Sequence, residues 1–313
     1  MSELRGGRRT TQNAARSGAA EPLLEGLQKP KGNVSVDILF SLVNELGMER
    51  KKHAEALAKA EAAIKEAYNR FTPEQRVEFF ARLYDQFAET YDKHMGEETG
   101  HFWAMKRVVH YAAPYLKFPM IDITSGTGEL LKYVLDLIEA SARLKQLAGG
   151  SELDILFPHL PKRSEGSLVV ANEISEKMLQ KAREKLKDRD KIRFTTHNAH
   201  QLPAHLRSRF NTVLCSQTFH LISDEDKVRL VRSIHNALIP GGIAVVLEED
   251  PFRISPTAPI APVSLFIRSI ASPIKHPSDL IGVFRTNGLS KLEIGAVESI
   301  DEHHNMKLHL FQK

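Results

Sequence analysis

The chain has 313 residues, 42% of them hydrophobic and 26% charged, the balance of a soluble globular protein with room for one large α/β domain and an extension. No uninterrupted apolar run approaches the roughly 18 residues of a membrane helix, and the single cysteine, Cys215, excludes an internal disulfide and a cysteine zinc cage. The net charge of +4 comes from basic residues interleaved with acids, which argues against a nucleic-acid partner.

Residues 1–32 lack periodicity and are expected to be a disordered basic tail. Their Arg, Ser, Thr and Ala content also suits a mitochondrial transit peptide, the alternative to a cytoplasmic protein; no apolar stretch follows to make a secretory signal. From Val34, the spacing of Leu39, Leu42, Val43 and Leu46 predicts a helix. A second, Ala-rich helix over about 49–70 places Leu57, Ile64 and Phe71 seven residues apart. Two such steps fall short of a coiled coil, so packing within its own domain is expected, with a homodimer contact through these helices as the alternative.

Thr72-Pro73-Glu74-Gln75 is a helix start: a capping hydroxyl, proline at the first helical position, and a glutamine able to bond back. The helix it opens sets Val77, Phe80, Tyr84, Phe87 and Tyr91 on one stripe. Gly96 and Gly100 loosen the chain before another helix at about 102–115, so residues 33–116 are read as a helical extension.

Strands are then expected at 118–123, 168–173, 192–195, 212–216 and 243–249, with helices at about 127–145, 175–187 and 224–238. Strands alternating with helices predict a Rossmann-like doubly wound α/β sheet, mostly parallel, over 117–313. Segments 291–297 and 306–311, joined by a short polar loop, read instead as an antiparallel C-terminal hairpin. Residues 146–166, rich in Gly, Pro and Ser, read as an inserted loop. The buried strand pattern around Cys215 predicts an inert thiol.

The first strand runs into Thr124-Ser125-Gly126-Thr127-Gly128 and a helix. Glycines here let the backbone approach a ligand, and the helix start offers unpaired N–H groups. A dinucleotide site would want a third glycine where Leu131 stands, so NAD and FAD are not expected. The second strand ends at Glu173, whose carboxylate could accept both hydroxyls of an adenosyl ribose. Ser175 can cap the next helix, and Ile174 with Met178 can wall an adenine. Taken alone, an acid at a strand end serves equally as a helix-start charge.

These residues resemble the class I S-adenosylmethionine (SAM) dependent methyltransferases, particularly small-molecule and quinone (UbiE-like) members, over about residues 80–313. Asp122, Gly126, Thr127 and Gly128 match the glycine motif, with Thr124 in place of its first glycine, where the resemblance implies a carbonyl holding the SAM amino group. Glu173, Ile174, Ser175, Met178 and Leu179 match the second motif. Asn198-Ala199-His200-Gln201-Leu202-Pro203 resembles the adenine-binding segment, with Asn198 in place of an acid. Residues 210–221, including Ser216 and Gln217, resemble the fourth-strand motif lining the methyl-transfer face. Leu238-Ile239-Pro240-Gly241-Gly242 matches the turn into the fifth strand, and 84–92 resembles the helix covering the cofactor.

The resemblance implies SAM as cofactor, bound by Tyr91, Asp122, Thr124, Ser125, Gly126, Thr127, Gly128, Glu173, Ile174, Met178, Asn198, Ala199, Ser216 and Gln217, with no metal. His220, just past the fourth strand, is the candidate base or orienting group, with packing or helix capping as the plainer alternative. Glu248, Glu249 and Asp250 could bind a cationic or hydroxylated substrate or a metal, or form a solvated acidic turn. His94 is a further lid candidate. The Pro-rich apolar stretch within 251–280 is implied to cover the substrate, pointing to a small apolar or aromatic acceptor. The same core acting on RNA or protein, or a non-catalytic SAM-binding subunit, are the alternatives.

Overall fold

The computed structural model describes residues 54–98, 100–147, 168–189, 191–249, 277–292, 297–300 and 305–313. The expected tail, the helix from Val34, nearly all of the 146–166 loop, most of the 251–280 insertion and Asp250 lie outside the described residues. The chain divides into two compact units, and the break on the N-terminal side falls at Phe79/Phe80.

The described part of the first unit is helical. Helix α1 (Ala54–Asn69) leads to the start of α2 (Pro73–Asp92). The capping box forms as expected: the Gln75 N–H donates to Thr72 Oγ1 at 3.3 Å and the Thr72 N–H to Gln75 Oε1 at 2.9 Å. Arg76 donates to the Phe71 carbonyl at 2.8 Å, and the Phe71 ring lies 6.1 Å from both Tyr68 and Phe79. Ile64 and Phe71, two of the heptad-spaced residues, are buried within the single chain.

In the second unit, α2 ends in a π-helical turn, Lys93–Glu98, and α3 (His101–Val109) continues as a tight 3-10 segment to Tyr115. Pro114 lies inside that segment, one residue before its last. The sheet follows: β1 (Met120–Asp122), α4 (Glu129–Leu147), β2 (Val169–Asn172), α5 (Glu176–Lys185), β3 (Ile192–Thr195), β4 (Phe210–Ser216), α6 (Asp224–Ala237), β5 (Leu238–Glu249), α7 (Pro277–Thr286), β6 (Ser290–Lys291), β7 (Val297–Ile300) and β8 (Asn305–Gln312).

The strand order is β3-β2-β1-β4-β5-β8-β6, and β7 also pairs with β8. The first five strands are parallel; β8 runs antiparallel to β5, from Ile243↔Gln312 to Glu249↔Met306. The expected terminal hairpin is present, but its first arm is split. Ser290–Lys291 and Val297–Ile300 each pair with β8 along one edge. The fifth strand begins earlier than its apolar run suggests, because Leu238 pairs with Phe210 before the Pro240-Gly241-Gly242 irregularity and pairing resumes at Thr212↔Ile243.

Strands β1 and β2 are buried along their whole length, as a parallel sheet covered on both faces requires. One core joins Val109, Leu116, Leu131, Val134 and Leu135 to Met120, Val169, Leu214, Val245 and Leu310 of the sheet. Elsewhere Phe284 of α7 stacks on Phe311 of β8 at 3.8 Å and meets Phe219 at 5.6 Å. Burying such rings fully contributes on the order of 2–3 kcal/mol each. No helix among the described residues is long and apolar enough to cross a membrane.

Candidate active site

The carboxyl ends of β1 and β4 lie side by side where the strand order reverses, the place at which open α/β sheets bind ligands. After Asp122 the chain turns toward α4 with Gly126 and Gly128 in left-handed conformations, φ +54° and +78°. At Gly128 a β-carbon would come within 3.1 Å of Ala182 Cβ and 3.2 Å of Leu186 Cδ1. That glycine therefore serves the packing of loop against α5, whereas at Gly126 a β-carbon would meet only the Met178 methyl, at 3.7 Å.

Thr124, standing where glycine is usual, keeps an ordinary negative φ, so its side chain costs no backbone strain. Its hydroxyl accepts from Thr218 Oγ1 at 3.0 Å and lies 3.5 Å from the Ser216 carbonyl and 3.8 Å from Cys215 Sγ. The departure thus links the ends of β1 and β4. Cys215 is fully buried, which pushes its thiol pKa well up. Gln217, the residue after β4, is left-handed at φ 54°, a strained conformation for a side chain of its size. Its amide reaches Met306 Sδ at 3.2 Å, and its N–H donates to the Leu247 carbonyl.

Glu173 is buried and joined to the glycine loop. Its Oε2 accepts the Gly126 N–H at 2.9 Å and its Oε1 the Ser175 N–H at 3.0 Å. Burial raises its pKa, the N–H groups of Ser175, Gly126 and Ile174 oppose the rise, and Asp85 adds to it. Each oxygen keeps a further acceptor position, enough for a pair of ligand hydroxyls. Ile174 is half-buried beside it and Met178 buried.

Asp122 contrasts with it. The residue is 1% exposed, and neither carboxylate oxygen has a hydrogen-bond partner. Burial pushes its pKa up to about 8; the Thr124 N–H offsets part of this without reaching hydrogen-bond geometry, and the Glu173 charge adds to it. The buried Ser125 hydroxyl beside it is also without a partner. Buried polar atoms are nearly always bonded, so this corner offers unused acceptor positions to a group carrying donors, a cation above all.

Helix α2 is tied to the same loops at two aspartates seven residues apart. Asp85 Oδ1 accepts from Ser175 Oγ at 2.6 Å and the Lys177 N–H at 3.1 Å. Asp92 accepts from Thr127 Oγ1 and pairs with Lys185 at 2.9 Å; Lys185 also reaches Thr127 Oγ1 and Glu129. Between the ties, the Tyr91 ring packs edge-on to Tyr84 and Phe87 and lies 6.1 Å from Phe102. Both tyrosine hydroxyls are held protonated, chiefly by burial, with the Glu173 charge adding in each case and Glu248 also at Tyr84. His94 pairs with Glu98 at 3.0 Å and packs against Phe87.

The third strand's loop is held by a residue that sequence reasoning passed over. Asn172, fully buried, donates to the Ile123 and His197 carbonyls and accepts from Thr195 Oγ1 and the His197 N–H, all at 2.9–3.0 Å. All of its hydrogen-bonding groups are used to fix the ends of β1, β2 and β3. Asn198 accepts the His200 N–H at 2.9 Å, capping the 3-10 turn that begins at Ala199. One acceptor position of its oxygen is thereby occupied.

His220 and Glu248 form one unit. His220 Nδ1 lies 2.8 Å from Glu248 Oε2, while Oε1 accepts the N–H groups of Thr218 and Phe219, each at 2.9 Å. Glu248 is 4% exposed. It is therefore not part of a solvated acidic turn, and its two oxygens serve the turn after β4. The side chains of Glu249 and Asp250 lie outside the described residues. Among the described residues no group of three or more His, Cys, Asp or Glu could hold a metal ion.

The geometry thus brings Asp122, Ser125, Gly126, Glu173, Ser216, Gln217 and His220 to neighbouring strand ends. Residues 156–242 match the model of a family described as a methyltransferase domain. No curated protein matches the chain by sequence at a significant level. Among solved structures, the DhpI complex with SAH is similar at a TM-score of 0.50 and 14% identity, covering 75% of this chain and 96% of that one. The [4+2]-cyclase SpnF is similar at a TM-score of 0.50 and 14% identity, covering 76% and 96%. At that identity the likeness carries the fold.

Proposed function

We propose that this chain, a class I SAM-dependent methyltransferase by its sheet and its matched segment, methylates a small apolar or aromatic acceptor by in-line displacement. The observation that supports it most is Asp122, buried with both oxygens open at the end of β1. Its environment fits the ammonium of SAM, with the Ser125 hydroxyl as a neutral partner. Glu173 would take the ribose hydroxyls, Ile174 and Met178 the adenine face, and Asn198 with Ala199 its edge. Thr124, Gly126, Thr127 and Gly128 shape the loop, and Ser216 and Gln217 line the methyl end.

SAM supplies a methyl group on a sulfonium, already activated for displacement. The chain's own work is then to align the acceptor and exclude water, and such positioning can lower a barrier by several kcal/mol, up to ~7–11 in ideal cases. Asp85 and Asp92 hold α2, with Tyr91, against the loops that bind the cofactor. His220 is the candidate to take a proton or orient the acceptor. The apolar sequence within 251–280 supports a greasy acceptor.

Calorimetric titration with S-adenosylhomocysteine (SAH) tests the reading. Micromolar binding is expected; a folded sample that binds none would leave a scaffold without cofactor. A second reading is favoured by the equal similarity to a structure named a [4+2]-cyclase: SAM bound for structure while the site does other chemistry. SAH binding with no methyl label passing from SAM to any acceptor would favour it. An RNA or protein acceptor would appear as label in macromolecules, with salt-dependent binding in the RNA case.

A further inference from the structure

We propose that Glu248 is a positioning residue that fixes His220 as a proton acceptor, and that the compound methylated is a hydroxyl compound, an alcohol or a phenol. The inference rests on the methyl-transfer reading of the site. Three hydrogen bonds lock the Glu248 carboxylate to the turn after β4: two from backbone N–H groups to Oε1, and one with His220 Nδ1 at Oε2. An ionised carboxylate only accepts, so Nδ1 carries the hydrogen, and in the proton-accepting form of the ring the lone pair lies on Nε2. That nitrogen has no partner among the described residues.

A structural role explains Glu248 alone, since the N–H groups of Thr218 and Phe219 need an acceptor. It does not explain a histidine, 7% exposed, whose second nitrogen has no partner among the described residues. His220 lies three residues past the strained Gln217, and Glu248 stands near the end of β5, at the strand ends where the reacting atoms are expected.

The acceptor class follows from the chemistry. A neutral amine or a thiolate attacks a methyl sulfonium unaided, whereas a hydroxyl is a poor nucleophile until its proton leaves. A positioned base contributes ~10²–10⁴-fold in such a step. The hydroxyl oxygen forms the C–O bond as the C–S bond breaks, its electron pair staying on sulfur to leave a neutral thioether. The O–H proton passes to Nε2, and the Glu248 carboxylate faces the imidazolium so formed.

The test uses the full chain as wild type, Glu248→Gln, Glu248→Ala and His220→Ala. SAH calorimetry comes first: failure of the wild type to bind sinks the methyl-transfer reading itself, and variants within about threefold retain the cofactor site. Long-range proton–nitrogen NMR, with His220→Ala identifying the signal, then reads the tautomer. An Nδ1–H ring is expected in wild type and a mixed or reversed one in Glu248→Ala. Methyl-labelled SAM with a panel of phenols, alcohols and matched amines and thiols reads the acceptor. Label is expected in O-methyl products, falling roughly 100-fold or more in His220→Ala and about tenfold in Glu248→Ala, with Glu248→Gln between them and wild type. An Nε2–H ring in wild type, an unchanged tautomer in Glu248→Ala, label confined to amines or thiols, or no labelled hydroxyl product each overturns the proposal.

Discussion

Two carboxylates stand at the ends of neighbouring strands, and the fold treats them oppositely. Glu173, after β2, is answered within the protein: the Gly126 and Ser175 N–H groups occupy both oxygens. Asp122, at the end of β1, is buried more deeply, and neither of its oxygens has a hydrogen-bond partner; only the Thr124 N–H, short of bonding geometry, offsets its burial. The difference separates two kinds of site residue. Glu173 organises the loop whether or not a ligand is present, so its loss damages fold and binding together. Asp122 burdens the free protein, and on the proposed function its use comes only when a donor arrives, so its loss should affect fold and binding in opposite directions.

The largest expected effect is therefore at Glu173. Glu173→Ala leaves two N–H donors without an acceptor, that of Ser175 buried and that of Gly126 half-buried, at about 1–3 kcal/mol each. Urea unfolding should show a stability loss of ~2–4 kcal/mol, and SAH affinity should weaken by roughly 1–3 kcal/mol, the scale of lost charge-assisted bonds. Glu173→Gln keeps one acceptor oxygen and should recover part of the stability. A Glu173→Ala protein as stable as wild type would remove the structural half of the comparison.

At Asp122 the sign follows from linkage. Its folded pKa of about 8 lies far above the roughly 3.9 of an unfolded aspartate. Between about pH 4 and 8 the unfolded chain releases a proton that the folded chain keeps, so stability falls as pH rises through that window. Asp122→Asn removes this slope. Free of ligand, the variant should be more stable than wild type by about 1–3 kcal/mol at pH 8 and nearly equal at pH 4, while SAH raises its Tm less than it raises that of wild type. Parallel pH–stability curves for the two proteins would show that Asp122 is not held protonated.

These two residues were visible in the sequence, because a strand followed by a glycine loop, and a strand ending in an acid, are local patterns. So were the Thr72 capping box and the alternation that predicts the sheet. What sequence could not supply are partners that meet only through the fold. Asn172 bonds a carbonyl 49 positions away and its neighbours 25 positions away. Glu248 meets His220 across 28 positions, which is why an acidic strand end read as a solvated turn. The motif containing Asp85 and Asp92 was legible, but not that each reaches a different loop, 90 and 35 positions distant. The start of β5 at Leu238 was missed for a related reason: its pairing with Phe210 precedes a Pro-Gly-Gly irregularity that hides the strand pattern.

The smallest effect expected is at Asp85, and it asks whether the comparison extends to the helix above the loops. Asp85 Oδ1 holds Ser175 Oγ and the Lys177 N–H, and its charge also raises the Glu173 pKa. Asp85→Ala should lower SAH affinity about fivefold, near 1 kcal/mol, the net worth of a typical hydrogen bond. The Asp92 tie remains, so the helix should loosen rather than leave. Amide exchange over residues 80–92 separates the two ways the loss could arise. Faster exchange there, with weaker SAH binding, places the effect in the helix as a cover. Unchanged exchange with altered binding would mean that Asp85 acts through the charge on Glu173, and the cover would then rest on Asp92 and its contacts with Thr127 and Lys185.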